Sequence, residues 1–402
     1  MSSRNAASVR ITNSQATLLD RWSTTHLASV LLFSLGSSIV TPFFGIYVAK
    51  TLGYGIEFAA LLITLKVVGQ RAMSVIGGVL TDVSGAKRTA ICGVAMRCTA
   101  FAVLLLPPEK ALLIASALLN GFGSAIYHPA LRKLMFSRCH ASSSLLSRVV
   151  SLRNASLNLG AAVGPLLGVW MVENNFHIAF QIIVLIYLAN LLLLIIVRDA
   201  SCKAGGWGAL ASWKHLFTPG FWKILALQFG FFWLYSHFEL LIPIFLDGQL
   251  GKLHVTLAFL TNTVVVVLVQ TLASRKVSLV PTWTGFLGFA GFFATFGFLS
   301  RWHDARDDIA ILSISSVVLG MLCFSIGEII FGNRLDYLIS MQITPNLTAT
   351  AFGIAALVGG LSLSAANAVN VKIFEAFGAP AVWSVNLAMT TAFLLICLIS
   401  RR

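Results

Sequence analysis

Twelve mainly apolar runs follow one another along this chain, at 26–49, 57–80, 88–107, 111–135, 146–171, 177–198, 221–246, 254–274, 281–300, 309–333, 347–371 and 379–400. A helix rises about 1.5 Å per residue, so roughly 20 apolar residues match the hydrocarbon thickness of a bilayer. At that depth backbone polar groups must be satisfied within the segment, which makes each run a helix. The breaks, among them Pro107-Pro108-Glu109-Lys110 and Arg301-Trp302-His303-Asp304, combine helix-stopping and charged residues. Only 10% of the 402 residues are charged and the mean hydropathy is +0.88. A water-soluble domain carries about 25% charged residues, so a soluble body is excluded and the lipid bilayer is the solvent. The chain is read as an all-α membrane protein of twelve transmembrane helices. Its formal charge of +14 falls in short clusters between the apolar runs, so no nucleic-acid partner is expected.

Those clusters define a topology. With both termini in the cytoplasm, Lys50, Lys110, Lys252, Arg301, Arg306 and Lys372 lie outside, and Lys66, Arg71 and Arg97 lie within spans. The remaining Lys and Arg fall on the cytoplasmic side, as expected when translocating positive charge is costly. The longest polar connector divides the runs six and six. This predicts a six-helix bundle at 1–198, a cytoplasmic linker at 199–220 and a second six-helix bundle at 221–402, the layout of a two-bundle transporter. No cleavable signal is expected in the polar residues 1–25, so the first apolar helix is read as an uncleaved insertion signal. The six cysteines form no CxxC pair and no zinc spacing, so no disulfide framework or metal site is expected.

Two stretches carry chemistry. The first is Gly77-Gly78-Val79-Leu80-Thr81-Asp82-Val83-Ser84-Gly85-Ala86-Lys87-Arg88, at the cytoplasmic end of the second run. It resembles the G-x-x-x-D-R-x-G-R-[KR] signature of the major facilitator superfamily through Gly78, Asp82, Gly85 and Lys87 or Arg88, whereas Val83 and Ala86 replace two arginines. The second is Asn158-Leu159-Gly160-Ala161-Ala162-Val163-Gly164-Pro165-Leu166-Leu167-Gly168, on the fifth run. Glycines four apart share a helix face and admit a neighbouring backbone, while Pro165 removes a backbone bond. This stretch resembles the G-x-x-x-G-P-x-x-G signature of the superfamily's twelve-helix drug:proton antiporters. Similar family patterns recur at Tyr127-His128-Pro129-Ala130, Pro42, Tyr235-Ser236-His237 with Pro243, and Gly327-Glu328. The resemblance implies a major facilitator fold in which Gly78, Asp82, Gly85, Lys87 and Arg88 latch the bundles when the inside is closed. Gly160, Gly164, Pro165 and Gly168 would serve the conformational change, and Arg153 could pair with Asp82. One departure stands out: the family's fourth-span arginine, linked to proton coupling, would fall near Ala117.

That departure directs attention to other ionisable groups at membrane depth, where a charge costs roughly 2.5–3.5 kcal/mol and usually faces a cavity or a partner. Glu239, Glu328 and His237 are the candidates for proton coupling, each alternatively a static, paired group. Lys66, Gln70, His128, Asn158 and Tyr235 are the candidates for a substrate cavity, with Lys66 suited to a negative group. Arg71 and Arg97, nearer helix ends, are read as snorkelling or structurally paired.

No G-K-[ST] phosphate loop and no HExxH or GxSxG site is present, so neither ATP-driven pumping nor an enzyme is expected, and no cofactor. The expectation is a secondary transporter, a proton-coupled exporter of drugs or a small metabolite (multidrug resistance by efflux and antiport). The alternative is a proton-coupled importer of a nutrient or siderophore. Its partners are a small-molecule substrate, protons and the lipid bilayer. It is expected to act as a monomer in the bacterial inner membrane.

Overall fold

The computed structural model describes residues 21–137, 139, 142–197, 205, 206, 208, 213, 216–303 and 310–399. In chain order the helices are α1 (Arg21–Ser38), α2 (Phe44–Ile46) running into a π-helical turn (Tyr47–Thr51), α3 (Ile56–Ala72), α4 (Ser74–Ser84), α5 (Ala86–Val103), α6 (Lys110–Phe136) and α7 (Ser143–Asn174). Then follow α8 (Phe176–Ile196), α9 (Pro219–Glu239), α10 (Leu241–Gln249), α11 (Lys252–Leu272), α12 (Thr282–His303), α13 (Ala310–Gln342) and α14 (Thr348–Ile399). No strand occurs among the described residues.

Every expected apolar run is mainly helical. By length and apolarity alone, seven described helices can cross a bilayer, or eight if α3 and α4, bent by 45°, form one span. α5 departs from that pattern because Lys87, Arg88 and Arg97 all lie on it. α14 holds the last two expected runs. It breaks at Gly378, whose φ of 76° lies in the left-handed region where a side chain is strained, and Pro380 follows. Local chemistry sets other helix starts. The Thr218 hydroxyl accepts from the Phe221 amide at 3.2 Å with Pro219 in the first turn of α9, and the Asn175 side chain accepts from the His177 amide at 2.8 Å to start α8.

In lipid no hydrophobic force draws helices together, so close packing and internal polar bonds hold them. The glycine face of α7 packs on α1. A methyl group on Gly160 would come 2.6 Å from the Ser34 Cβ, and one on Gly164 would come 2.5 Å from the Ser38 Cβ. Elsewhere in this half, Arg97 of α5 is buried among polar groups. It donates to the Tyr187 hydroxyl at 2.6 Å, the Asn120 side-chain oxygen at 2.5 Å, and the hydroxyls of Ser124 and Ser37 at 2.7 and 2.5 Å. Arg97 does not snorkel; it is a core residue. The second half is built instead on rings: Phe289, Phe292, Phe293, Phe296, Phe324 and Trp383 form a buried aromatic cluster.

The two halves of the chain meet where α4 packs on α14, α7 on α11 and α13, and α6 on α14. Several bonds gather the helix ends at one end of the molecule. The Lys87 ammonium donates to the carbonyls of Ile195 and Val197 at 2.9 and 2.5 Å, and the Ser278 amide donates to the Ser147 hydroxyl at 3.2 Å. At the opposite end the Tyr54 hydroxyl donates to the Pro108 carbonyl at 2.6 Å.

Candidate functional site

The α4–α5 turn ties the two halves together. Asp82, 1% exposed, points its carboxylate at the first turn of α14. It accepts from the Thr350 amide at 2.8 Å, the Thr350 hydroxyl at 2.7 Å, the Ala349 amide at 3.3 Å and the Lys133 ammonium at 2.5 Å. The first amides of a helix lack intrahelical acceptors and carry the positive end of its dipole, so a carboxylate from another helix caps them well. Gly78 makes this approach possible, because a Cβ there would collide with the Ala349 carbonyl and Thr350. About one turn from Gly78, the Ser74 hydroxyl donates to the Gly353 carbonyl at 2.9 Å. Gly85 turns α4 into α5 with a φ of 97°. Lys87 caps the end of α8, and Arg88 is exposed. The amides of Gly205 and Gly206 donate to the carbonyls of Asp82 and Val83 at 3.0 and 3.3 Å, so the connector closes the end of α4. Most of 199–220, including Lys203, lies outside the described residues.

Arg153 does not pair with Asp82. Its guanidinium donates to Asp336 of α13 at 3.1 Å and to the Asn154 side chain at 2.9 Å, and Arg132 of α6 approaches the same carboxylate at 3.3 Å. The partner differs from expectation because Lys133, next to Arg132 on α6, fills the space beside Asp82. Arg153 thus also joins the halves, one layer further in.

Above this layer lies a chamber between the halves, with two adjoining lobes of 180 and 280 Å³. Both are lined by Arg71, Arg132, Arg153, Leu157, Gln228, Phe232 and Asp336. Gln70 and His128 line the smaller lobe; Asn158, Tyr235, Gln270 and Glu328 line the larger. Four of the five expected cavity residues therefore come together. The fifth, Lys66, lines a separate 30 Å³ pocket inside the first half and donates to the Thr41 hydroxyl at 3.3 Å. Ala117 and Asn120 share that pocket, so where the family pattern has an arginine, a lysine approaches from α3.

The proton-coupling candidates separate clearly. The Glu328 carboxylate lines the chamber and accepts from the Asn262 amide at 2.7 Å, with no ion pair among the described residues. His237 is fully buried and lines neither lobe. Its Nδ1 lies 3.0 Å from the Leu234 carbonyl and its ring packs on Phe293 and Trp383, with Nε2 unpartnered among the described residues. Glu239 ends α9, and its side chain lies outside the described residues. Sequence reasoning missed Asp336, Lys133, Thr350, Gln228 and Phe352. For Asp336 a signal existed: it is a lone acid among Gly332-Asn333-Arg334-Leu335 at a span end, with arginines on two other spans to meet it.

Comparison with known proteins agrees with this geometry. The fold is that of the human organic anion transporter MFSD10 (TM-score 0.75, 14% identity, 94% of this chain and 99% of that one). It is equally that of the Escherichia coli fucose:proton symporter FucP (TM-score 0.72, 13% identity, 94% and 98%). In sequence, the multidrug resistance protein MdtH of Aeromonas hydrophila is 27% identical over 231 residues, 55% of this chain and 56% of that protein. MdtH of Yersinia enterocolitica is 29% identical over 149 residues, 37% and 36% of the two chains. The matches thus span about half and about a third of these relatives' lengths. The profile of the Major Facilitator Superfamily matches residues 27–367, and the chain belongs to that family of multi-pass membrane transporters.

Proposed function

We propose that this chain exports a small amphiphilic molecule, a drug or metabolite, in exchange for protons, by alternating access to the chamber between its halves. In this reading the molecule is a monomer in a bacterial inner membrane, with residues 1–198 and 221–402 as its two moving bundles. Both termini and the α4–α5 turn face the cytoplasm, where most Lys and Arg lie. Glu328 carries the proton. Its carboxyl opens on the chamber and is held by the neutral Asn262 amide, so protonation breaks no ion pair among the described residues. That observation carries the proposal. Coupling requires the two conformations to bind proton and cargo with different strengths, and a carboxylate that shares one chamber with the cargo supplies such a difference. The likeness to MdtH and the glycine–proline face of α7 support export.

The test uses everted membrane vesicles containing the full chain and a panel of fluorescent aromatic cations, anions and zwitterions. Energised vesicles are expected to accumulate at least one probe and to release it on addition of a protonophore. Glu328→Gln is expected to abolish the dependence on the proton gradient while leaving probe exchange intact. Accumulation in the wild type that ignores the gradient, or full gradient dependence in Glu328→Gln, refutes the reading.

A further inference from the structure

The chamber contains more positive than negative groups, and its negative groups are held unequally. Three guanidinium groups, on Arg71, Arg132 and Arg153, face two carboxylates, Asp336 and Glu328. An aliphatic or aromatic amine entering this space meets a surplus of like charge, whereas an anion is attracted.

Asp336 is the carboxylate that occupies the arginines, and it does so through long bonds. It meets Arg132 at 3.3 Å and Arg153 at 3.1 Å, each through a single nitrogen. Charge-assisted bonds ordinarily lie at about 2.7–2.9 Å, and arginine binds carboxylates best with two parallel bonds. The Lys133–Asp82 pair in the latch, at 2.5 Å, shows what a committed pair looks like in the same molecule. Arg153 also keeps a donor in reserve. It is 2% exposed, yet its Nε finds no acceptor among the described residues, and a buried donor left unmade costs free energy that a ligand oxygen recovers. Beside these cations stand aromatic walls. Arg71 lies over the Phe232 ring at 5.5 Å, Arg132 lies over Phe352 at 5.2 Å, and Phe231 and Tyr235 continue the apolar wall.

We propose that the chamber takes amphiphilic anions, aromatic carboxylates in particular, and that the ligand's carboxylate replaces Asp336 on Arg153 and Arg132 while its ring lies against Phe232 and Tyr235. The inference rests on the reading of this chamber as the transport site. It adds a mechanism for sensing cargo: an anion that displaces Asp336 removes the tie from α13 to α6 and α7, so occupancy loosens the contact between the halves beneath the chamber.

The experiment is calorimetric binding to the purified full chain in lipid nanodiscs, with 2-naphthoate, neutral 2-naphthamide and cationic 2-naphthylmethylammonium as matched probes. In the wild type the naphthoate is expected to bind at least about tenfold more tightly than either other probe. Asp336→Asn removes the competitor and is expected to tighten naphthoate by about tenfold while changing naphthamide by less than about twofold. Arg153→Gln is expected to lose the preference for the anion. Equal or tighter binding of amide or amine by the wild type, which needs no variant to fold, overturns the proposal. So does an absence of naphthoate binding, or a folded Asp336→Asn protein whose naphthoate affinity is unchanged or weaker. Binding as expected in a chain that moves nothing in energised vesicles would strike the transport reading and leave this one standing.

Discussion

Replacing Asp82 with asparagine tests the latch with the smallest change in shape. The carboxylate divides its work between two oxygens: one receives the Lys133 ammonium and the Ala349 amide, the other the amide and hydroxyl of Thr350. An amide has a single oxygen. If it keeps the two Thr350 bonds, its nitrogen faces the Lys133 ammonium and the Ala349 amide, so donors meet donors and a buried ammonium loses this carboxylate. A hydrogen bond to a charged group contributes about 1.5–3 kcal/mol; the Lys133 bond is lost outright, the long Ala349 bond at 3.3 Å goes with it, and the two Thr350 bonds weaken. The penalty for the joined state is roughly 2–4 kcal/mol. At 1.4 kcal/mol per factor of ten, the separated state rises about 30- to 700-fold. The assay is hydrogen–deuterium exchange over 344–356, because the amides of Ala349 and Thr350 exchange only when the α14 start leaves Asp82. Exchange there is expected to accelerate by that factor, with segment 289–296 of the aromatic core unchanged as the internal control. No acceleration at 349–350, or an equal acceleration in the control, refutes the assignment of Asp82 as the tie between the halves.

Two further expectations concern the framework. Arg97→Leu should lower the thermal midpoint of the detergent-solubilised protein. The six bonds that Arg97 donates, at about 0.6 kcal/mol each, sum to about 3.6 kcal/mol, and a midpoint within a degree of wild type contradicts the account of Arg97 as the polar centre of the first half. Gly160→Ala should destabilise by about 1–3 kcal/mol because its methyl meets Ser34, whereas Gly230→Ala on α9, with nothing within 4 Å, should be neutral or slightly stabilising. Thermal unfolding of the pair checks both, and equal behaviour of the two variants argues against the α1–α7 seam.

The helical character and order of the apolar runs were legible because helix length at membrane depth follows from bilayer thickness alone. Partners were not, because helices apolar on all faces carry no stripe that says which side meets what. Tyr235 and His237 illustrate this. Two residues apart, they point about 200° away from each other on a helix, so one lines the chamber and the other lies among Phe293 and Trp383. Lys66 and Gln70 share a face, but one turn of rise puts them in different cavities. Asp336 escaped notice for another reason. The apolar run ends near residue 333, while α13 continues to Gln342, and the overhang carries the acid that meets Arg132 and Arg153. Gly78 and Asp82 drew attention through their resemblance to the family signature, whereas Lys133 read as one more flanking cation until the fold set it beside Asp82.

The central claim, two halves that separate and rejoin at the Asp82 end around one chamber, is tested most directly by pulsed electron spin distance measurement. Spin labels at the exposed positions Ser84 and Asn346 bracket the latch from its two sides, in a full-length protein whose native cysteines are replaced by serine. The account predicts two resolved distance populations in the wild type, with weight moving to the longer one in Asp82→Asn. A single distance, identical in both proteins, contradicts it.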